Sequence, residues 1–152
     1  MSSFSAVLIG HEPLTQNCGQ VLLDTGHNLA AVVTRCPNIT AWAMDAGLRF
    51  EAPGPDLAQR LAGLPFDWLL SIANLDMLPA DLLDLPAKGA VNFHDGPLPR
   101  YAGLNAPVWA KLAGEAQHGI TWHLIAGGVD KGDILLQRMF DKIGRASCRE
   151  RV

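Results

Sequence analysis

The chain has 152 residues, with 12 Lys+Arg against 15 Asp+Glu for a formal net charge of -3, 49% hydrophobic residues and only 18% charged ones. That is one globular domain's worth of material, too apolar for a disordered chain and without the basic balance of a broad nucleic-acid-binding face. No apolar stretch approaches the roughly 20 residues of a membrane helix, and the opening Met1-Ser2-Ser3-Phe4-Ser5 lacks the basic region of a signal peptide, so a cytoplasmic protein with no membrane partner is expected.

In chain order, Phe4-Ser5-Ala6-Val7-Leu8-Ile9-Gly10 is a short apolar run closed by glycine and reads as a buried first strand. A helix is predicted from Pro13 to Asp24, a second strand over Asn28 to Thr34, and helical segments around Ile39–Ala46 and Asp56–Ala62. Phe66 to Ile72 gives a further strand and Gly89-Ala90-Val91-Asn92 a fourth; Gly119 to Ile125 and Ile134 to Met139 supply later strand-like material. Strands alternating with helical segments imply right-handed βαβ units, hence an α/β fold with a Rossmann-like, mostly parallel sheet and flanking helices. Ligands gather at the carboxyl ends of such strands, so the residues after Ile9, Leu70 and Val91 are the first candidates for a site.

Two signals are missing and one segment stands apart. The turn Gly10-His11-Glu12-Pro13-Leu14 is not GxGxxG, and no GxxxxGK[ST] occurs, which disfavours a dinucleotide or a nucleoside-triphosphate loop. Cys18, Cys36 and Cys148 are odd in number and share no CxxC spacing, so neither a disulfide framework nor a metal site is expected. From Ile143 the chain reads Ile-Gly-Arg-Ala-Ser-Cys-Arg-Glu-Arg-Val, a basic stretch without apolar periodicity. Those ten residues resemble the translation of a short-read sequencing adapter, so residues 143–152 are read as a non-native tail and residues 1–142 as the domain proper, cut off near Lys142.

The densest polar cluster is Asn92-Phe93-His94-Asp95-Gly96-Pro97-Leu98-Pro99-Arg100-Tyr101-Ala102-Gly103, directly after a predicted buried strand. Asn92 and His94 are two apart and project the same way from a strand end. An amide donor beside an imidazole suits acyl transfer: the amide hydrogen-bonds a developing oxyanion while the imidazole handles a proton or lends positive charge. In Gly127-Gly128-Val129-Asp130-Lys131-Gly132-Asp133, glycines let the backbone approach a ligand, and Asp130 is placed to orient His94. On spacing alone an Asn-x-His pair is more often a turn cap than a catalyst, and Asp130 more often a turn residue. His123, alternating with Trp122, reads as a structural histidine rather than a catalyst.

The cluster 92–103, followed by Pro107-Val108-Trp109-Ala110, Gly114-Glu115, His118-Gly119-Ile120-Thr121-Trp122-His123 and Val129 to Gln137, resembles the folate-dependent formyltransferase family. The resemblance implies the family's N-terminal catalytic core, incomplete at its C-terminus, with 10-formyltetrahydrofolate as donor, an amine as acceptor and no metal. It maps a catalytic trio onto Asn92, His94 and Asp130. It also sets the pterin against Ser71, Asn74, Leu75, Asp76, Leu78 and Leu83 and against Gly127, Gly128 and Val129. Where the wider family commonly carries serine, Gly96 stands here, followed by Pro97. That form more closely resembles formyltransferase-like domains of nonribosomal peptide synthetases, which implies an aminoacyl group on a carrier protein as acceptor. A formyltetrahydrofolate deformylase and a non-catalytic folate-binding scaffold are the alternatives, and the exposed edge of a truncated sheet is expected to aggregate.

Overall fold

A computed structural model describes residues 3–142; the tail singled out above lies outside the described residues. The chain divides into two compact units, Met1–Val91 and Asn92–Val152, and its strands belong to a seven-stranded, mostly parallel sheet of the expected α/β class.

In the first unit, β1 (Ser5–Ile9) is buried on both faces, with Ala6, Val7 and Leu8 wholly inaccessible, as its unbroken apolar run requires. α1 (Pro13–Asp24) begins on a proline, whose missing N–H is no loss at a first helical position. β2 (Asn28–Val33) pairs parallel with β1, setting Leu8 against Val32. After α2 (Pro37–Asp45), β3 (Phe50–Glu51) pairs with β2 on the far side. α3 (Leu57–Leu61) leads to β4 (Trp68–Ser71), which returns to β1's other edge with Leu70 beside Leu8. The strand order is therefore β3-β2-β1-β4. The winding reverses between β1 and β4, which opens a crevice beyond their carboxyl ends.

Gly10 closes β1 because nothing larger fits. A Cβ there would lie 2.0 Å from the Ile72 carbonyl oxygen and 2.1 Å from Thr15 Oγ1, and the Thr15 hydroxyl donates 2.9 Å to that same carbonyl. The glycine thus serves strand-to-helix packing rather than a phosphate turn. α4 (Ala80–Leu83) follows, and β5 (Gly89–His94) begins in this unit.

The second unit carries the end of β5, then α5 (Ala106–Leu112), β6 (Gln117–Leu124) and β7 (Ile134–Asp141). β6 and β7 form an antiparallel hairpin in which Thr121 faces Gln137. His118, Thr121 and His123 are buried polar residues on β6, a placement that demands hydrogen-bond partners. Among the described residues no helix is long and apolar enough to cross a membrane.

Candidate functional site

β5 ends on Asn92-Phe93-His94, and its alternation turns Phe93 away to pack edge-on against Trp122 at 5.2 Å. The loop that follows is tied to the hairpin at four points. The His118 Nε2–H donates 2.8 Å to the Asp95 carbonyl, and the Thr121 hydroxyl donates 2.7 Å to that of Gly96. The Leu98 N–H donates 3.2 Å to Thr121 Oγ1, and Gln137 Nε2–H donates 2.7 Å to the Leu98 carbonyl. His118 and Thr121 of β6, with Gln137 of β7, are thus the clamps that fix the chain leaving His94.

Asp130 sits in the β6–β7 turn with φ of 49°. The turn is held by the Leu124 N–H donating 2.9 Å to the Asp133 carbonyl and the Ala126 N–H donating 3.1 Å to that of Lys131. The side chain is 10% exposed. Its Oδ2 accepts from the Gly103 N–H at 2.6 Å and lies 3.4 Å from His94 Nδ1; its Oδ1 lies 3.6 Å from His123 Nε2. His94, itself buried, donates from Nε2 to the Tyr101 carbonyl at 2.8 Å. Both ring nitrogens of His94 therefore face oxygen atoms that only accept, the Tyr101 carbonyl and the Asp130 carboxylate. Asn92 Nδ2 donates 3.2 Å to His123 Nε2.

Asn92, His94 and Asp130 are thus brought together, through partners that spacing did not reveal: His123, the Tyr101 carbonyl and the Gly103 N–H. Backbone groups leave no mark in a sequence. His123 did leave one, since it shares the inward face of β6 with Thr121, but a buried histidine on a strand looks the same whether it packs or serves. Tyr101 is pinned through its hydroxyl, which donates 2.8 Å to Glu115 Oε1, while Arg100 also pairs with Glu115. That phenol hydrogen bond holds the Glu115 carboxyl below its ordinary range and pushes the Tyr101 phenol up.

Gly96 lies against the imidazole. A Cβ there would come within 2.8 Å of both His94 Nε2 and the Ala106 Cβ, so a serine hydroxymethyl has no room while the ring keeps this position. Chemically, the group offers an amide donor, an imidazole and a carboxylate without a free hydroxyl or thiol nucleophile among them, a set suited to stabilising charge on a carbonyl oxygen.

The residues expected to face a pterin fall in both units. In the first, the crevice beyond β1 and β4 holds a cavity of about 400 Å3 whose apolar walls include Ile9, Met77, Leu78 and Leu82. Asn74 and Asp76 also line it, as does Arg35. Ser71 is buried and is not itself among the walls; its hydroxyl oxygen accepts at 3.4 Å from Asn74 Nδ2. Leu75 is 74% exposed, and neither it nor Leu83 is among the walls; Leu82 is. Asp76 pairs with Arg35 and lies 3.4 Å from His11 Nε2. In the second unit, Gly127, Gly128 and Val129 are exposed in the turn before Asp130, the glycines at φ of 56° and 144°.

Comparison with known proteins adds an independent line. The family model described as Formyl transferase matches residues 48–146. A methionyl-tRNA formyltransferase of Moorella thermoacetica is 34% identical over 135 residues, covering 78% of this chain and 43% of that protein. One from Trichlorobacter lovleyi is 29% identical over 91% of this chain and 49% of its own length. The chain spans about half the length of the curated relatives it matches. Among solved structures, glycinamide ribonucleotide transformylase 1 of Geobacillus kaustophilus superposes with a TM-score of 0.81 at 20% identity, covering 95% of this chain and 86% of that one. A formyltetrahydrofolate deformylase of Pseudomonas syringae pv. tomato gives 0.81 at 19% identity, covering 96% and 54%. At those identities the structures speak for the fold.

Proposed function

The chain belongs to the formyl transferase family, and from that premise we propose that it carries the catalytic site of a folate-dependent N-formyltransferase whose acceptor is an aminoacyl group on a carrier protein. The observation that carries the reaction is the convergence of Asn92, His94 and Asp130. 10-Formyltetrahydrofolate supplies an activated formyl group. As the acceptor amine adds to the formyl carbon, charge grows on the formyl oxygen, which this chain's donors stabilise; collapse of the adduct then breaks the formyl bond to N10, and the proton given up by the amine leaves on the N10 of tetrahydrofolate.

The Asn92 carboxamide has one N–H committed to His123 and a second free to meet that oxygen. His94 holds its Nε2–H on the Tyr101 carbonyl, a hydrogen bond it exchanges for one to substrate. Asp130, on the Nδ1 side, keeps the ring oriented and balances its positive charge. Gly103, by its N–H on Asp130, holds the carboxylate in turn. In the first unit, the cavity lined by Asn74, Asp76 and Leu78 combines apolar walls with a few polar side chains, the make-up of a small-molecule pocket, which supports the reading of a folate donor. The acceptor class is supported by the motif with Gly96-Pro97, where resemblance to carrier-acting domains is greatest.

The test is turnover of 10-formyltetrahydrofolate with an aminoacyl-pantetheine thioester as carrier mimic, with formylated product and formate both quantified. Formylated thioester is expected, and His94→Ala should lower kcat by about 10²–10⁴-fold. Formate release independent of the amine would instead make the protein a deformylase. Folate binding without turnover would make it a scaffold.

A further inference from the structure

Beyond the trio, we propose that His123 is a positioning residue that fixes the Asn92 carboxamide in its working orientation. This rests on the formyl-transfer reading of the site. The ring is 2% exposed, so each of its nitrogens requires a partner inside the protein. Nδ1 lies 2.8 Å from the Leu124 carbonyl oxygen. A carbonyl only accepts, so Nδ1 carries the hydrogen. In the neutral ring Nε2 is then a lone pair, and it faces Asn92 Nδ2 at 3.2 Å.

That lone pair decides which end of the carboxamide faces it. An amide oxygen turned toward Nε2 would set two acceptors against each other, so the nitrogen stays there and its second N–H is presented elsewhere. Without His123, Asn92 is free to turn its oxygen toward the site, where an acceptor repels the charge that a donor should receive. Asp130 Oδ1, 3.6 Å from the same Nε2, is the competing partner. A doubly protonated His123 would give its Nε2–H to Asp130 and oppose that hydrogen to the Asn92 N–H. The ring with hydrogen on Nδ1 alone is therefore the form that serves Asn92, and the Leu124 carbonyl excludes the tautomer with hydrogen on Nε2 alone.

Gln at this position keeps an acceptor near the place of Nε2, while Phe fills the volume with none. His123→Phe is expected to lower kcat on the order of tenfold to a hundredfold with KM little changed, and His123→Gln to retain most of it. His123→Phe combined with Asn92→Ala should be no slower than Asn92→Ala alone, a coupling that a merely structural histidine does not produce. Independent losses that multiply in the double variant would overturn the proposal. The histidine ring nitrogens of the 15N-labelled full chain give a readout without turnover. The His123 signals, identified by their loss in His123→Gln, should show a protonated Nδ1 and a bare Nε2 at neutral pH. A protonated Nε2 there would overturn the assignment whatever the kinetics. A chain that turns over no acceptor removes the formyl-transfer reading alone, because the nitrogen spectrum still decides the state of His123.

Discussion

Gly96 shows how tightly a single residue can constrain the position of the His94 imidazole. With 2.8 Å from a notional Cβ to His94 Nε2, Gly96→Ser must push the ring away from the Tyr101 carbonyl or push α5 back at Ala106. Overpacking of this kind costs about 1–3 kcal/mol of stability, tolerable for a folded domain, whereas moving the ring by about 1 Å costs on the order of 10²-fold in rate. The expected outcome is a variant that melts a few degrees lower yet has lost most of its kcat. Full activity in Gly96→Ser would mean that His94 has a second workable position. At this scale the sequence was partly legible. Asn92 and His94 announced themselves because a period of two puts both on one side of a strand end. Asp130 came from a turn 36 positions after His94, and only the resemblance tied it firmly to the pair. His123, the Tyr101 carbonyl and the Gly103 N–H were hidden, the first behind an ordinary structural role and the others because a backbone group has no letter of its own.

At the level of elements, the turn between β6 and β7 is the part that delivers the carboxylate. Gly132 has φ of 125°, and a Cβ there would lie 2.0 Å from the Leu124 carbonyl oxygen, a backbone atom that cannot step aside. Gly132→Ala must therefore open the turn and withdraw Asp130 from His94 and His123. The hairpin keeps its other pairings, so activity should fall far more than the melting temperature; kcat unchanged in Gly132→Ala would show that the turn adjusts without moving Asp130. The strands and long helices around this turn were legible for specific reasons. α1 runs from Pro13 to Asp24 as predicted, because proline marks its start and the apolar residues keep helical spacing. The predicted strand 66–72 shortens to Trp68–Ser71, since the burial of Phe66 and Ile72 comes from packing beyond the paired stretch. β3 escaped because two residues carry no period, and α4 because its four residues are a single turn. α5 escaped because its seven residues follow a loop rich in Pro and Gly, and because Asn105, in the left-handed region at φ of 61°, caps it without a side-chain hydrogen bond.

For the molecule as a whole, the pH dependence of stability should reflect where strand β1 is anchored. Asp67 accepts from the Ser5 N–H at 2.9 Å and pairs with Lys88 at 3.1 Å. First that backbone hydrogen bond and then Lys88 hold its carboxyl below the ordinary value of 3.8. A depressed folded-state value stabilises the fold above the unfolded value, and that contribution is lost as the pH falls through the folded one. Asp67→Asn keeps an acceptor for Ser5 but removes the charge. Its deficit in denaturant midpoint should be constant near neutrality, shrink as the pH falls below the ordinary value of 3.8 and vanish only below the depressed folded-state value; a deficit undiminished in strong acid would assign it to packing.

The second whole-molecule consequence lies on β7, the last strand in the sheet order. Ile134, Leu135, Leu136 and Met139 are 47 to 56% exposed, and consecutive exposed positions on a strand lie on both faces. Among the described residues no further strand pairs with the outer edge of β7, and unpaired edge N–H and C=O groups beside apolar side chains are a template for another strand. α5 adds Val108, Trp109 and Leu112, each more than half exposed. A net charge of -3 over 152 residues offers little repulsion against association. The chain is therefore expected to self-associate at micromolar concentrations, with sedimentation velocity showing a weight-average mass that rises with loading. Because the attraction is apolar, salt should strengthen it, whereas association through charge would weaken as salt screens it. Lysines at Leu135 and Leu136 place charge on both faces of the edge and should return the protein toward monomer. If Leu135→Lys/Leu136→Lys associates as the parent does while Trp109→Lys does not, the apolar face of α5 is the contact and the strand edge is a bystander.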